Sequence, residues 1–252
     1  MSRFGPLPDP AELLDHDEAA AAFAAILDST ASDEAITEFL IALAERGETM
    51  VEIAAAAQAM RDRMIPIDAP AGAIDVCGTG GDGHHTLNVS TAVAIVVAAC
   101  GVPVAKHGNR AASSKAGGAD TLEALGVRLD VTAQVAERQL ADLGICFLFA
   151  QNHHPALKRM APIRKALGRR TIFNLLGPLA SPAGVKRQLV GVASPKLVET
   201  YAQAMKMLGI ERAMIVSGEE GLDEVSISGI SRFASIGFDL GHNIIAPEGV
   251  GL

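Results

Sequence analysis

The sequence predicts an α/β fold: a small N-terminal all-helical domain followed by a larger α/β domain with a mostly parallel central sheet. Three observations predict it. Up to residue 66 the chain carries helical periodicity only. Past Ala69-Pro70-Ala71-Gly72, short apolar runs alternate with helical ones, the pattern of βαβ units. Two polar, glycine-rich stretches then begin where strand-like runs stop, as loops at the carboxyl edge of a parallel sheet do.

In the helical part, Asp9-Pro10-Ala11-Glu12 has the form of a capping box with proline at the first helical position, and it predicts a first helix carrying Leu13, Ala20, Phe23, Ala24 and Leu27 on one stripe. A second helix starts near Ser32, presents Ile36, Phe39, Leu40 and Leu43, and ends at Gly47. Thr49 to Glu52 opens a third, which stops before Pro66. This unit is rich in alanine and short of bulky residues, so it is expected to pack on something else, including another copy of itself. In the α/β part the predicted strands are Ala73–Val76, Val102–Ala105, Ile145–Phe149, Thr171–Phe173, Leu189–Val192 and Ala213–Val216. The predicted helices between them are Val89–Cys100, Ala116–Leu125, Ala133–Leu143, Pro155–Leu167 and Pro195–Leu208.

Composition narrows the function. The chain has 252 residues, 49% of them hydrophobic, and a formal net charge of −8, which argues against a general nucleic-acid binder. The most apolar helical run, Ala92 to Ala99, is too short to span a membrane and is followed by Gly101. Met1 to Pro10 holds one Arg and no apolar core, so it does not read as a secretory signal. Cys77, Cys100 and Cys146 form neither a zinc pattern nor a disulfide framework, and a reducing cytoplasm is the simplest reading.

The chemistry lies in the two glycine-rich stretches. Asp75-Val76-Cys77-Gly78-Thr79-Gly80-Gly81-Asp82-Gly83 runs on to Asn88-Val89-Ser90-Thr91 at a helix start, where free N–H groups favour an anion. Lys106-His107-Gly108-Asn109-Arg110-Ala111-Ala112-Ser113-Ser114-Lys115 adds cations. Glycines let backbone N–H groups approach a ligand closely, and amides, hydroxyls and lysine hold phosphate. Read alone, the first stretch also fits a glycine turn with an Asn or Ser cap. Asp223-Glu224, beside a turn with Gly218 and Gly221, are adjacent hard carboxylates of the kind that hold magnesium against a diphosphate. Read alone they also fit an acidic surface loop, with Glu219 and Glu220 as neighbours. Arg164 fits a substrate carboxylate or a solvated helix face. His84-His85 reads as a solvated loop pair, and Cys77 as a small buried residue at a strand end.

In order along the chain, Gly78-Thr79-Gly80-Gly81-Asp82 with Asn88-Val89-Ser90-Thr91, Lys106 to Arg110, Gly117 to Gly126, Asn174-Leu175-Leu176-Gly177-Pro178-Leu179 and Gly221 to Glu224 resemble the motifs of the anthranilate phosphoribosyltransferases. Those enzymes join anthranilate to the ribose of phosphoribosyl pyrophosphate and release pyrophosphate, a step of tryptophan biosynthesis. The resemblance implies that Gly78, Gly81, Asp82, Thr86, Asn88, Ser90, Thr91 and Lys106 bind phosphoribosyl pyrophosphate, with a contribution from Gly118. It implies that His107, Asn109, His154, Arg164 and Pro178 line the anthranilate channel. Asp223 and Glu224 would ligate two Mg2+ ions, with Ser90 assisting one. No nucleophile triad is expected.

The resemblance further implies a cytoplasmic homodimer built through the N-terminal helices, a helical domain of residues 1–70 joined by part of 152–185, and an α/β domain of 71–252 that continues in relatives beyond the point where this chain stops. The chain therefore reads as a fragment or shortened variant with its site loops present. Two departures stand out: Gly118 where many members carry serine, and Ser217 where many carry histidine. Competing readings are a pyrimidine-nucleoside phosphorylase, disfavoured by Gly108-Asn109-Arg110, and a non-enzymatic nucleic-acid-binding relative, disfavoured by the acidic charge and the retained Asp223-Glu224.

Overall fold

A computed structural model of the chain describes residues 4–84, 86–110 and 117–251. Ala111 to Lys115 of the second glycine-rich stretch, the start of the expected helix at Ala116, and His85 lie outside the described residues.

The helical part contains α1 (His16–Leu27), α2 (Asp33–Arg46) and α3 (Met50–Arg61). Ser32 caps α2, Gly47 ends it, and Thr49 and Glu52 form the capping box of α3, as their types dictate. The first helix does not begin at Asp9. Asp15 caps it instead, accepting the N–H groups of Asp17 and Glu18 while Glu18 returns to the Asp15 N–H. Two boxes compete in the sequence, and tertiary structure decides between them. The Leu14 N–H donates to Glu52 Oε1 at 3.2 Å, and Leu14 is buried, which holds the chain before Asp15 out of a helix. Asp9 closes only a turn, accepting the Ala11 N–H at 3.0 Å, and Leu13 is 70% exposed. Glu52 is fully buried and is balanced by Arg46 Nη2 at 2.5 Å.

The α/β part runs β1 (Ile74–Gly78), α4 (Val89–Ala99), β2 (Val104–Gly108), α5 (Gly118–Ala124), α6 (Ala133–Leu143), β3 (Ile145–Phe149), α7 (Ala150–His153), α8 (Met160–Leu167), β4 (Arg187–Gly191), α9 (Leu197–Met207), β5 (Arg212–Gly218), β6 (Ser231–Ile236) and β7 (Ile244–Ile245). The sheet has the order β3-β2-β1-β4-β5-β6-β7. β1 to β5 are mutually parallel, and β6 and β7 are antiparallel additions. The expected strand Thr171–Phe173 is a 3-10 turn, Ile172–Asn174, held by the Thr171 N–H on Asn174 Oδ1 at 3.1 Å. Three apolar residues cannot tell a strand from a buried turn. The expected helix Pro155–Leu167 is a 3-10 turn, Pro155–Lys158, followed by α8. β6 and β7 were not among the expected strands. Yet Ser231, Phe233 and Ile236 point inward, a partial alternation that marks β6.

The helical part shares one continuous core with the sheet. Phe23, Ile36, Phe39, Leu40 and Leu43 belong to the same buried cluster as Tyr201 and Met205 of α9 and Val190 and Ile215 of the sheet. Ala54 to Ala57 of α3 are buried, so their small side chains are used within the chain. Arg61 fastens the join, donating to Leu179 O at 2.7 Å and Leu208 O at 3.1 Å. The order of strand addition switches between β1 and β4, which are themselves parallel. The crevice beyond the carboxyl ends of such a pair is where open parallel sheets bind ligands.

Candidate active site

The crevice is built from β1 outward. β1 ends at Gly78, in register with Gly191 of β4, and the Thr79 N–H donates to Gly191 O at 2.9 Å. Gly80 and Gly81 take φ of +67° and +73°, a region that suits glycine, and this turns the loop back over the sheet edge. The Gly80 N–H then donates to Asp223 Oδ2 at 2.8 Å. Asp223 arrives from the β5–β6 connection and presses on both glycines of the register pair. A side chain at Gly78 would strike the Asp223 carboxylate, and one at Gly191 would run into the Asp223 backbone. Two glycines on neighbouring strands therefore make room for one aspartate.

Glu224 reaches the other side of the crevice. Ser90, in the first turn of α4, donates its hydroxyl to Glu224 Oε1 at 3.1 Å. Asn88 caps α4 through the Thr91 N–H at 3.2 Å and touches Thr121 on α5 at 3.4 Å. Asp82 lies against Asp223, and its Oδ2 is buried without a hydrogen-bond donor. Burial raises the Asp223 carboxyl above its ordinary range, with Asp82 adding repulsion and the Gly80 N–H opposing it. Glu224 is pushed up to about 7, by burial first and by Asp223 second. The three carboxylates repel one another and only Glu224 gains from a neighbouring cation, Lys106, and that fits a bound divalent ion. Among the described residues no three His, Cys, Asp or Glu side chains form a ready metal cage. An oxygen-loving divalent ion that borrows ligand oxygens from a substrate meets that condition.

Lys106 lies within β2, not in a loop past it, and is buried, and its charge acts on Glu224 across the crevice. Its Nζ donates to Val76 O at 2.7 Å. The Thr91 hydroxyl is buried nearby without a partner. A Cβ at Gly118 would stand 3.4 Å from that hydroxyl and 3.8 Å from Lys106 Cε, both ordinary contacts.

A second cluster lies on the other side of β2. His107 donates Nδ1–H to Gly177 O at 2.9 Å, and its ring centroid is 5.1 Å from that of His154. Nε2 of each ring is buried and unpaired. Burial lowers both imidazoles, His107 to about 3 and His154 to about 4, and their mutual proximity adds to the effect at His107. Both rings are neutral at physiological pH. Gly177 and Pro178 form the wall beside them. Two buried, neutral, half-satisfied imidazoles beside apolar wall suit a planar aromatic ligand better than an anion.

The remaining expected residues make these contacts. Thr86 is exposed in the loop before α4, and Asn109 Oδ1 accepts the Arg110 N–H at 2.9 Å. Gly81 is exposed, and its carbonyl accepts from Arg170 Nη1 at 3.4 Å. Arg164, on α8, is half-buried; burial lowers its pKa, and no ion pair to it occurs among the described residues. His84 is exposed, with Nε2 3.2 Å from Glu220 O. Ser217 is buried and donates its hydroxyl to Gly218 O at 3.3 Å, at the base of the acidic loop. Sequence reasoning did not single out Asp75, Gly191, Gln188 or Arg170. The first had a visible signal: a charged residue inside the apolar run Ala73 to Val76.

Residues 71–251 match the α/β domain of a glycosyl transferase family, and residues 11–64 match the helical bundle domain of the same family. The anthranilate phosphoribosyltransferase of Sphingopyxis alaskensis is 68% identical over 250 residues, which covers 99% of this chain and 73% of the relative. The chain belongs to the anthranilate phosphoribosyltransferase family. Its fold agrees. The crystal structure of the Thermus thermophilus enzyme superposes with a TM-score of 0.89 at 45% identity, over 96% of this chain and 72% of that one. The Saccharomyces cerevisiae enzyme in complex with phosphoribosyl pyrophosphate and Mg superposes with a TM-score of 0.86 at 32% identity, over 99% of this chain and 73% of that one.

Proposed function

We propose that this protein transfers the phosphoribosyl group of phosphoribosyl pyrophosphate to the amine of anthranilate and releases pyrophosphate, in tryptophan biosynthesis. The observation that carries the reading is the meeting of the glycine loop with Asp223 and Glu224 at the β1–β4 crevice, through Gly80 and Ser90. It is supported by the yeast relative, which binds phosphoribosyl pyrophosphate and Mg. Gly78, Gly81, Asp82, Thr86, Asn88, Ser90, Thr91, Lys106 and Gly118 take the phosphorylated substrate in this reading. His107, Asn109, His154, Arg164 and Pro178 take anthranilate. Asp223, Glu224 and Ser90 hold two Mg2+ ions.

Mg2+ held by Asp223, Glu224 and Ser90 would supply positive charge to offset that of the departing pyrophosphate. The protein's own part is positioning. The glycine loop and the start of α4 offer N–H groups and hydroxyls to phosphate oxygens. Neutral His107 and His154 have unpaired Nε2 atoms, which can accept an N–H of the acceptor amine and the proton it gives up once its nitrogen has bonded to the ribose carbon. Nothing in the crevice needs to act as a nucleophile, because the amine attacks the ribose carbon directly once both substrates are aligned.

The proposal includes a helical domain of residues 1–70 extended by part of 152–185, supported by the packing of α8 on α2, and an α/β domain of 71–252. It includes a homodimer through the N-terminal helices, for which sedimentation at high protein concentration is the test, a monomer counting against it. It also includes a cytoplasmic location, supported by three free cysteines. The enzymatic reading is tested by following loss of anthranilate fluorescence with phosphoribosyl pyrophosphate and Mg2+. Turnover that requires all three supports it; no loss of fluorescence under saturating conditions rejects it.

A further inference from the structure

Two buried polar side chains lie beneath the acceptor side of the crevice, and the roles above use neither. Asp75 on β1 and Gln188 on β4 are register partners, 0% and 6% exposed. Asp75 Oδ1 accepts the backbone N–H of His107 at 3.1 Å. Gln188 Nε2 donates to Pro178 O at 2.7 Å, while its Oε1 is buried without a donor, so what the amide contributes is its N–H. His107 in turn holds Gly177 O. One short turn, Gly177-Pro178, is thus tied to the sheet directly through β2 and β4, and through His107 to β1.

The strand pairing explains why these side chains are polar. β1 is in register with β2 only at Ile74 and Val104, whereas β1 with β4 and β2 with β3 stay paired to the strand ends. Beyond Ile74 side chains bridge the β1–β2 gap: the His107 N–H takes the Asp75 carboxylate, and the Val76 carbonyl takes the Lys106 ammonium. A buried N–H without a partner is costly, so the carboxylate at position 75 sets where the end of β2 can lie.

We propose that Asp75 and Gln188 are positioning residues for the aromatic acceptor, fixing His107 and the Gly177-Pro178 turn at the spacing the acceptor needs. This rests on the reading of His107, His154 and Pro178 as the anthranilate side.

The test uses Gln188→Met, which keeps the volume and removes the donor, with Asp75→Val and Asp75→Asn. Gln188→Met and Asp75→Val are expected to raise KM for anthranilate by about tenfold, the scale of one lost positioning contact, with KM for phosphoribosyl pyrophosphate within about twofold of wild type. Asp75→Asn keeps an acceptor for the His107 N–H and is expected to restore near-normal KM. Hydrogen exchange of the peptide spanning residues 174–180 is expected to speed up in Gln188→Met, with or without substrate. Equal rises in both KM values, an Asp75→Asn as damaging as Asp75→Val, or unchanged exchange at 174–180 would overturn the proposal. A wild type that does not consume anthranilate rejects the enzymatic reading instead, and the exchange measurement still decides whether Gln188 holds the turn.

Discussion

Ser90 and Glu224 share a hydrogen bond of 3.1 Å that joins the first turn of α4 to the acidic loop after β5. With the Gly80–Asp223 contact it closes a ring around the β1–β4 crevice: glycine loop, aspartate, glutamate, helix start. Replacing Asp223 by Asn and Glu224 by Gln together is expected to lower turnover by roughly 100-fold or more, the scale of losing charge stabilisation at a reacting centre. Circular dichroism should show an intact fold. Near-normal turnover at limiting Mg2+ would remove the carboxylates from the mechanism.

The same glutamate predicts a pH dependence of stability. Its carboxyl sits at about 7 in the folded chain against 4.5 for the ordinary group. The stabilisation is therefore fully present below pH 4.5 and is lost as pH rises through about 7. Discounted for partial exposure, the contribution is about 1–2 kcal/mol. Asp75, raised to about 6, slopes the same way, while His107 and His154 slope oppositely below 6.5. The difference in urea stability between wild type and Glu224→Gln, in the absence of divalent ions, isolates the glutamate. That difference should grow in favour of the variant between pH 5 and 7, and a flat difference refutes the assignment.

Gly191→Ala is expected to be more damaging than Gly78→Ala. At position 191 the new methyl meets the Asp223 main chain, which cannot swing away, whereas at 78 it meets a side-chain carboxylate. The first should cost about 1–3 kcal/mol by overpacking and displace the acidic loop. Melting temperatures of the two variants check the order.

Arg164→Ala is expected to weaken anthranilate by about tenfold in KM and phosphoribosyl pyrophosphate much less, because a carboxylate loses its guanidinium partner. Lys106→Met, which keeps the buried volume, should do the reverse. Matching shifts for both substrates in either variant would reassign that residue.

Much of this architecture was legible in the residues. Ser32, Gly47 and the Thr49–Glu52 box placed α2 and α3 because capping is local chemistry. Strands β1 to β5 were legible because a parallel sheet buried on both faces leaves continuous apolar runs. The start of α1 was not, because two equivalent boxes compete and a contact from Leu14 to Glu52 on another helix chooses between them. β6 was missed because only about half of its residues are apolar and buried, which leaves no continuous hydrophobic run to read. In the site, the loops and the carboxylate pair announced themselves by type. Lys106 showed its identity but not its direction, since its Val76 partner exists only once β1 and β2 part. Gly191 carried no local sign at all, because the reason for it is an aspartate brought in from a distant loop.

The reversal of strand order between β1 and β4 has a temporal side. Gly80 and Asp223 are 143 residues apart in the chain, and the loop they close carries a large share of the molecule's long-range order. A growing polypeptide can form the local turns of α1 to α3 and emerge through β1, β2 and β3 while the substrate crevice, and the core that α3 shares with α9, are still missing one wall. That wall arrives only when β4, β5 and the residues up to Glu224 have left the ribosome, about ten seconds or more after β1 at ordinary rates of synthesis. The site is thus completed long after its first strand is made. Ligand cannot assist the early steps of folding, and binding reports on completion: any nascent or misfolded chain that lacks the β4–β5 wall is silent to phosphoribosyl pyrophosphate.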